Sequence, residues 1–129
     1  MKKVIAFGTF DLLHPGHVHM LKEAKTYGDW LTVVIAKDLT VSEVKGHLPT
    51  NNELERLAAV TNLNLADRVV LGNIHDKYAV IVEEKPDVVA LGYDQNAFID
   101  NLKPNLEPHV RVVRLTPYFP EKYKSSLMK

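Results

Sequence analysis

An α/β domain with a five-stranded parallel sheet and helices on both faces is predicted by three observations. Five short strand-like runs recur along the 129 residues, at Val4–Phe7, Leu31–Ala36, Asp67–Leu71, Asp87–Leu91 and Val110–Leu115. Stretches with apolar residues at helical spacing separate most of them. The runs are largely continuous in apolar character, as strands covered on both faces are. Strands alternating with helices imply right-handed crossovers and hence a parallel sheet. The length suits one domain, residues 1–129, with one sizeable core.

The elements follow in order. VIAF (Val4–Phe7) is a buried strand closed by Gly8. Met20, Leu21 and Ala24 share one side of a helix whose other side carries Lys22, Glu23 and Lys25, and Gly28 ends it. LTVVIA (Leu31–Ala36) is the second strand. Lys37–Asn52 is polar and broken by Gly46 and Pro49, so it reads as a loop with a short helix at Thr40–Val44. Glu53–Leu63 is helical, with Leu54, Leu57, Ala58 and Leu65 on a common face. DRVVL precedes Gly72 as the third strand. Asp76–Lys85 is a helix with Tyr78, Ile81 and Val82 as its stripe, stopped by Pro86. DVVAL, ending at Gly92, is the fourth strand; Ala97–Leu106 is a short helix; VRVVRL is the fifth strand.

Composition removes several function classes. Lys plus Arg and Asp plus Glu both number 16, for a formal net charge of zero. A nucleic-acid or membrane-surface binder would carry a basic excess. There is no cysteine, which excludes disulfides, thiolate nucleophiles and cysteine-held metals and fits a reducing cytoplasm. MKKVIAFGTF reads as a strand rather than a signal peptide, and no apolar stretch approaches the ~18 residues of a membrane span.

In such sheets ligands bind beyond the carboxyl ends of the strands. The exit of the first strand reads GTFDLLHPGHVHML. His14, Pro15, Gly16 and His17 there stand between a strand and a helix. Pro15 suits the first helical position, because its missing N–H would have no partner there. The amides of Gly16, His17 and Val18 are then expected to point freely out of the helix start, with the helix dipole behind them, as a site for an anion. Gly16 lets a phosphate approach the backbone, and His14 and His17 add side-chain donors. His-x-Gly-His would arise by chance in roughly one per cent of sequences of this composition, and its place between strand and helix sharpens the signal. His19 is expected to point elsewhere on the helix.

GTFDLLHPGH, the placing of the histidines and the βαβ order together resemble the cytidylyltransferase-like family of nucleotidyltransferases. AKDLTVSEVKGHLP, the GYDQ exit of strand four and the terminal Ser-Ser look most like its archaeal FAD synthase branch. The resemblance spans nearly the whole chain. It implies a Rossmann-like fold and transfer of a nucleoside monophosphate from ATP or CTP to a phosphate-bearing acceptor, with release of pyrophosphate. ATP and FMN are the pair implied by the branch, with Mg²⁺ or another divalent metal travelling with the triphosphate. CTP with glycerol 3-phosphate or a phosphoalcohol is the runner-up. The Arg-Thr-x-Gly-Ile-Ser-Thr pattern of glycerol-phosphate cytidylyltransferases is replaced here by RLTPYFPEKYKSSLMK, which weighs against CTP. A catalytically silent nucleotide-binding module is the reading from another class. The resemblance also allows a homodimer.

In the implied chemistry the protein positions reactants and stabilises phosphate charge, so no covalent nucleophile is needed. The resemblance lays the backbone of Thr9 and Phe10 along the nucleotide; finishing the strand is the plainer alternative. Asp11 could orient the loop or a metal-bound water, and a helix-capping or turn role is the equal alternative. Lys37 and Lys45 follow the second strand and can reach phosphates as mobile charges, Lys45 being the stronger candidate beside Gly46. Arg56 lies where relatives carry a basic residue. Asp94, after Gly92 and Tyr93, would accept from a ribose hydroxyl or base amine, or else cap the next helix; Gln95 could read a base edge. Ser125 and Ser126 match the family's hydroxyl pair for the outer phosphates. Tyr118, with Phe119 and Tyr123, would wall an adenine or isoalloxazine ring, or else pack a loop. The metal's protein ligands are left unknown.

Overall fold

The structure, a computed structural model, describes residues 1–72, 79–92 and 109–115; within these the side chains of Val44, Lys45 and Val82 are outside the description. The chain runs β1 (Lys3–Gly8), α1 (Pro15–Lys25), β2 (Trp30–Ile35), α2 (Asp38–Lys45), α3 (Glu53–Asn62), β3 (Arg68–Leu71), α4 (Ala79–Glu84), β4 (Val88–Leu91) and β5 (Arg111–Arg114). All five strands are parallel and lie in the order β3-β2-β1-β4-β5. The predicted sheet is therefore present, each strand within a residue or two of its expected bounds.

The two faces bury different residues, as the period of two along each strand requires. Val4, Ala6, Leu31, Val33, Ile35, Val88 and Ala90 face Leu21 and Ala24 of α1 and Val60 of α3. Ile5, Val34, Val89 and Leu91 face Val80 and Ile81 of α4. β1 and β2 are thus mostly apolar, Lys3 and Thr32 apart, because both sides are covered.

An aspartate stands just before each of three strands. Asp29 accepts from the amide of Lys2, Asp67 from that of Leu31, and Asp87 from that of Lys3. Each carboxylate satisfies an amide at the amino end of the neighbouring strand. Lys25 and the Leu31 amide hold the Asp67 carboxyl below its ordinary value.

Two helices differ from expectation. The short helix of the 37–52 loop is longer, Asp38–Lys45, and ends on Gly46 at φ 80°, a left-handed cap that glycine adopts without strain. The inner face of α3 is the expected one only in part: Leu57 and, just beyond the helix, Leu65 pack against the core. Leu54 is 67% exposed and Ala58 is exposed, whereas Arg56 and Val60 are buried and Leu57 and Leu63 pack beside them. A guanidinium with its own acceptors takes a buried place on this helix, which hydrophobic spacing alone does not reveal. The expected helix at Ala97–Leu106 and the start of the one at Asp76 lie outside the described residues.

The strand order places β1 next to both β2 and β4. The chain runs outward from β1 to β3 on one side, then returns to β4 on the other. The exits of β1 and β4 flank this reversal, where a crevice for ligands forms in sheets of this kind.

Candidate active site

At the exit of β1 the chain makes an unusual loop. Phe10 and Leu12 both adopt left-handed backbone conformations, at φ 54° and 53°. Such residues carry strain that the surroundings must offset. Phe10 is 3% exposed, and its ring lies over Gly8 so closely that a Cβ there would sit 2.5 Å from it. Phe10 is therefore a core residue by its side chain, and its ring centroid stands 5.6 Å from that of His17.

His14 is the N-cap of α1, in extended conformation, and Pro15 takes the first helical position as expected. The amides of the first turn are not free, which corrects the expectation of an open anion nest. Gly16 N–H donates to His14 Nδ1 at 3.0 Å, His17 N–H to the His14 carbonyl at 2.9 Å, and Val18 N–H to the same carbonyl at 3.5 Å. The reason is local. Nδ1 of histidine stands as many bonds from Cα as Oδ1 of asparagine, so histidine at an N-cap folds back onto the first-turn amides as asparagine does.

His17 completes the arrangement. Its Nδ1 accepts from His14 N–H at 3.2 Å, the reciprocal half of a capping box. Both Nδ1 atoms therefore act as acceptors, and the proton of each neutral ring lies on Nε2. The rings sit 4.1 Å apart between centroids and 32° from coplanar. Burial holds the His14 imidazole below the ordinary histidine value, which favours its neutral form. Two rings with fixed tautomers thus stand at the β1 exit, suited to donate from Nε2 to phosphate oxygens. Nδ1 capping was missed from sequence, although a histidine at the N-cap and another at the third helical position, with proline between, is its signature.

His19 points along the helix surface, 3.6 Å from Glu23 Oε1, away from the pair as expected. Asp11 orients the loop. Its Oδ2 accepts from Thr50 N–H at 2.7 Å, and its Oδ1 from Asn51 N–H at 3.0 Å and Asn51 Nδ2 at 3.2 Å. Burial works against charge on Asp11, but these donors and the charge of Arg56 outweigh it and hold its carboxyl below the ordinary value.

Arg56 is 1% exposed and faces inward. Nε donates to Asn51 O at 3.0 Å, Nη1 to Thr9 O at 2.8 Å and Nη2 to Asp38 Oδ1 at 2.7 Å. Asp38 and Asn51 were not singled out from sequence, and only their contacts with a buried arginine mark them. Lys37 is the N-cap of α2, half-buried at the β2 exit. Asp94, Gln95, Tyr118, Phe119, Tyr123, Ser125 and Ser126, and the side chain of Lys45, lie outside the described residues.

An open groove of about 460 Å³ lies at the opposite, amino end of the sheet, lined by Met1, Lys2, Asp87, Val88, His109 and Arg111. It is remote from the histidines and lies at the wrong end of the strands for a ligand site of this fold.

Several known proteins are similar to this chain. A FAD synthase of Thermoplasma volcanium is 41% identical over 121 residues, covering 92% of this chain and 84% of its own. A FAD synthase of Aciduliprofundum boonei is 43% identical, with 92% and 80% covered. A solved structure from Thermoplasma volcanium GSS1, described as a lipopolysaccharide core biosynthesis protein, has a TM-score of 0.81 at 41% identity, with 92% of this chain and 98% of that one covered. A pantoate-beta-alanine ligase from Francisella tularensis, at TM-score 0.60 and 17% identity over 88% of this chain and 58% of its own, shares the fold. Residues 5–128 match the family model described as cytidylyltransferase-like. By that match and by the length over which its relatives agree with it, the chain belongs to the cytidylyltransferase-like family and is a nucleotidyltransferase.

Proposed function

We propose that this nucleotidyltransferase moves AMP from ATP to FMN, forming FAD and pyrophosphate. One observation carries the acceptor: FAD synthases from several archaea agree with this chain at 39% to 43% identity across most of its length. The histidine pair supports the reaction type. A phosphate oxygen of FMN attacks the α-phosphorus of ATP, and the bond from that phosphorus to the bridging oxygen breaks. Pyrophosphate leaves with the bonding electrons. Nε2–H donors of His14 and His17 stabilise charge that builds on the phosphate oxygens, with no covalent nucleophile from the protein.

Lys45, Ser125 and Ser126 hold the leaving pyrophosphate in this proposal, and Asp94 fixes the nucleoside. Thr9 and Phe10 pass their backbone along the nucleotide, and Tyr118 walls a ring. A cytoplasmic setting is compatible with a chain that has no cysteine, and no helix among the described residues is long and apolar enough to cross a membrane. A divalent ion such as Mg²⁺ enters with the triphosphate. Among the described residues no group of three or more His, Asp or Glu side chains could hold such an ion; phosphate oxygens are ligands of the kind Mg²⁺ takes.

The structure from Thermoplasma volcanium and the FAD synthases carry different names, so the acceptor is what the experiment must decide. Pyrophosphate release is measured with ATP or CTP, each with FMN or glycerol 3-phosphate, in the presence of Mg²⁺. Release with ATP and FMN alone, with FAD appearing, is the expected outcome. Release with CTP and glycerol 3-phosphate would move the protein to the cytidylyltransferase reading. Nucleotide binding with no release in any arm would support a silent module.

A further inference from the structure

We infer that Arg56 and Asp11 are positioning residues for the His14–His17 pair, acting through the strained loop that carries it. The two side chains close on that loop from opposite directions. Arg56 reaches from α3 to the carbonyl of Thr9, at 2.8 Å. Asp11 reaches back from the loop to the amides of Thr50 and Asn51, at 2.7 and 3.0 Å. Asn51 joins the two, because its carbonyl accepts from Arg56 Nε while its amides donate to Asp11. The clasp brackets Phe10, one of the two left-handed residues, and Leu12, the other, follows at once.

Each component has a physical reason to be where it is. A guanidinium side chain with no exposed surface needs acceptors on its nitrogens and a countercharge. Asp38 supplies the contact carboxylate at 2.7 Å, and the charge of Asp11 is coupled to it as well. The planar fork bonds Asn51 O, Thr9 O and Asp38 Oδ1 at once, a geometry an ammonium cannot reproduce. Backbone strain at Phe10 and Leu12 persists only where the surroundings over-determine it. Without the clasp the loop relaxes, Phe10 loses its seat over Gly8, and the ring that stands 5.6 Å from His17 moves. Arg56 therefore serves the reaction from the interior rather than as a direct phosphate contact, in contrast to the role its position in the family first suggests.

The inference rests on the nucleotidyltransferase reaction for its kinetic readout, but not for its spectroscopic one. Arg56→Lys and Asp11→Asn are prepared, cooperative thermal unfolding is confirmed, and kcat and the KM for ATP are measured with FMN. The ring-nitrogen NMR shifts of His14 and His17 are recorded without substrate. Arg56→Lys is expected to lower kcat by about 10²-fold, the scale of an ångström-sized misplacement, with KM changed by less than about threefold. Its free protein is expected to show ring-nitrogen shifts averaged between the two tautomers, where the wild type shows Nε2–H for both rings. Asp11→Asn is expected to move both readouts in the same direction by less. A folded Arg56→Lys with wild-type kcat would overturn the inference. So would a loss carried by KM alone, which marks a direct substrate contact, or a loss of kcat with wild-type ring shifts. If Arg56→Lys does not unfold cooperatively, Asp11→Asn decides, and wild-type kcat and ring shifts in it overturn the inference. A wild type inactive on ATP and FMN would count against the acceptor reading, while the ring shifts would still test the clasp.

Discussion

His14 and His17 together close the start of α1: Nδ1 of His14 takes the amide of Gly16, and Nδ1 of His17 takes the amide of His14. The residues suited to phosphate chemistry are thereby also the residues that start α1. Structural and chemical roles fall on different nitrogens of the same rings, so they can be separated by substitution.

His14→Ala removes both roles and His14→Asn removes one. Asparagine at an N-cap accepts from the first turn as well as any residue, whereas alanine costs about 1 kcal/mol. Thermal unfolding should therefore show His14→Ala destabilised and His14→Asn close to wild type. Turnover should fall in both. His17→Ala should lower kcat by about 10²–10³-fold, the scale of losing one charge-stabilising donor, with the fold intact by circular dichroism. Near-normal turnover in His17→Ala would remove the histidine pair from the chemistry.

Stability should decline in mild acid through His14. Burial lowers its folded pKa below the unfolded value near 6.5, so the unfolded chain binds the proton first. Its contribution is fully present above that value and is lost as pH falls through the lower folded value. Asp11, also lowered in the folded protein, adds a second loss that begins only below about 3.8. Melting temperature followed from neutral pH downward should show the first decline in wild type and not in His14→Asn. An identical profile in the two proteins would show that the His14 ring does not titrate with folding.

Gly8→Ala should be harmful out of proportion to one methyl group. The added carbon would meet the Phe10 ring at 2.5 Å, and that ring is 97% buried against the core. Overpacking of this kind costs about 1–3 kcal/mol. Because Phe10 also stands beside His17, kcat should fall together with the melting temperature. A stable, fully active Gly8→Ala would mean that the ring shifts without consequence for the site.

Thr32→Val supplies the opposite control. Thr32 is 2% exposed, accepts from Trp30 Nε1 at 3.0 Å and donates to Glu84 Oε1 at 3.1 Å. Valine keeps the shape and leaves the indole and the carboxylate without that hydroxyl, for a cost of about 1–2 kcal/mol. Its place in mid-β2 is remote from the loop of His14, so denaturant unfolding should register the loss while kcat stays unchanged.

Sequence and structure agree most closely where periodicity and punctuation act together. β1, β2 and β4 are largely apolar runs closed by small residues, and a parallel sheet covered on both sides is the arrangement that buries them. The candidate site was placed from Pro15 and Gly16 between strand and helix, a local signal, and the structure does start α1 at Pro15 with His14 as its N-cap. What stayed hidden depends on a contact distant in sequence or on which nitrogen of a ring accepts. Arg56 was marked only as a position where relatives carry a basic residue, and its contacts with Thr9 O, 47 positions away, and with Asp38 show why it faces inward. Leu54 looked like core because hydrophobic spacing alone does not show that Arg56 takes a buried place on this helix. The Gly16, His17 and Val18 amides looked open because helix starts usually leave them so.

The shared capping box also bears on how such a chain changes over generations. Loss of His14 weakens the fold as well as the chemistry, so purifying selection on foldedness alone would guard it. A descendant released from its catalytic duty would tolerate changes at a lysine whose only task is to bind phosphate, the role proposed for Lys45, sooner than at this histidine. A preserved His14 is therefore poor testimony that a lineage still performs the reaction, and a paired loss of His14 with a new asparagine or serine in its place would be the plainer mark of a retired enzyme that kept its shape.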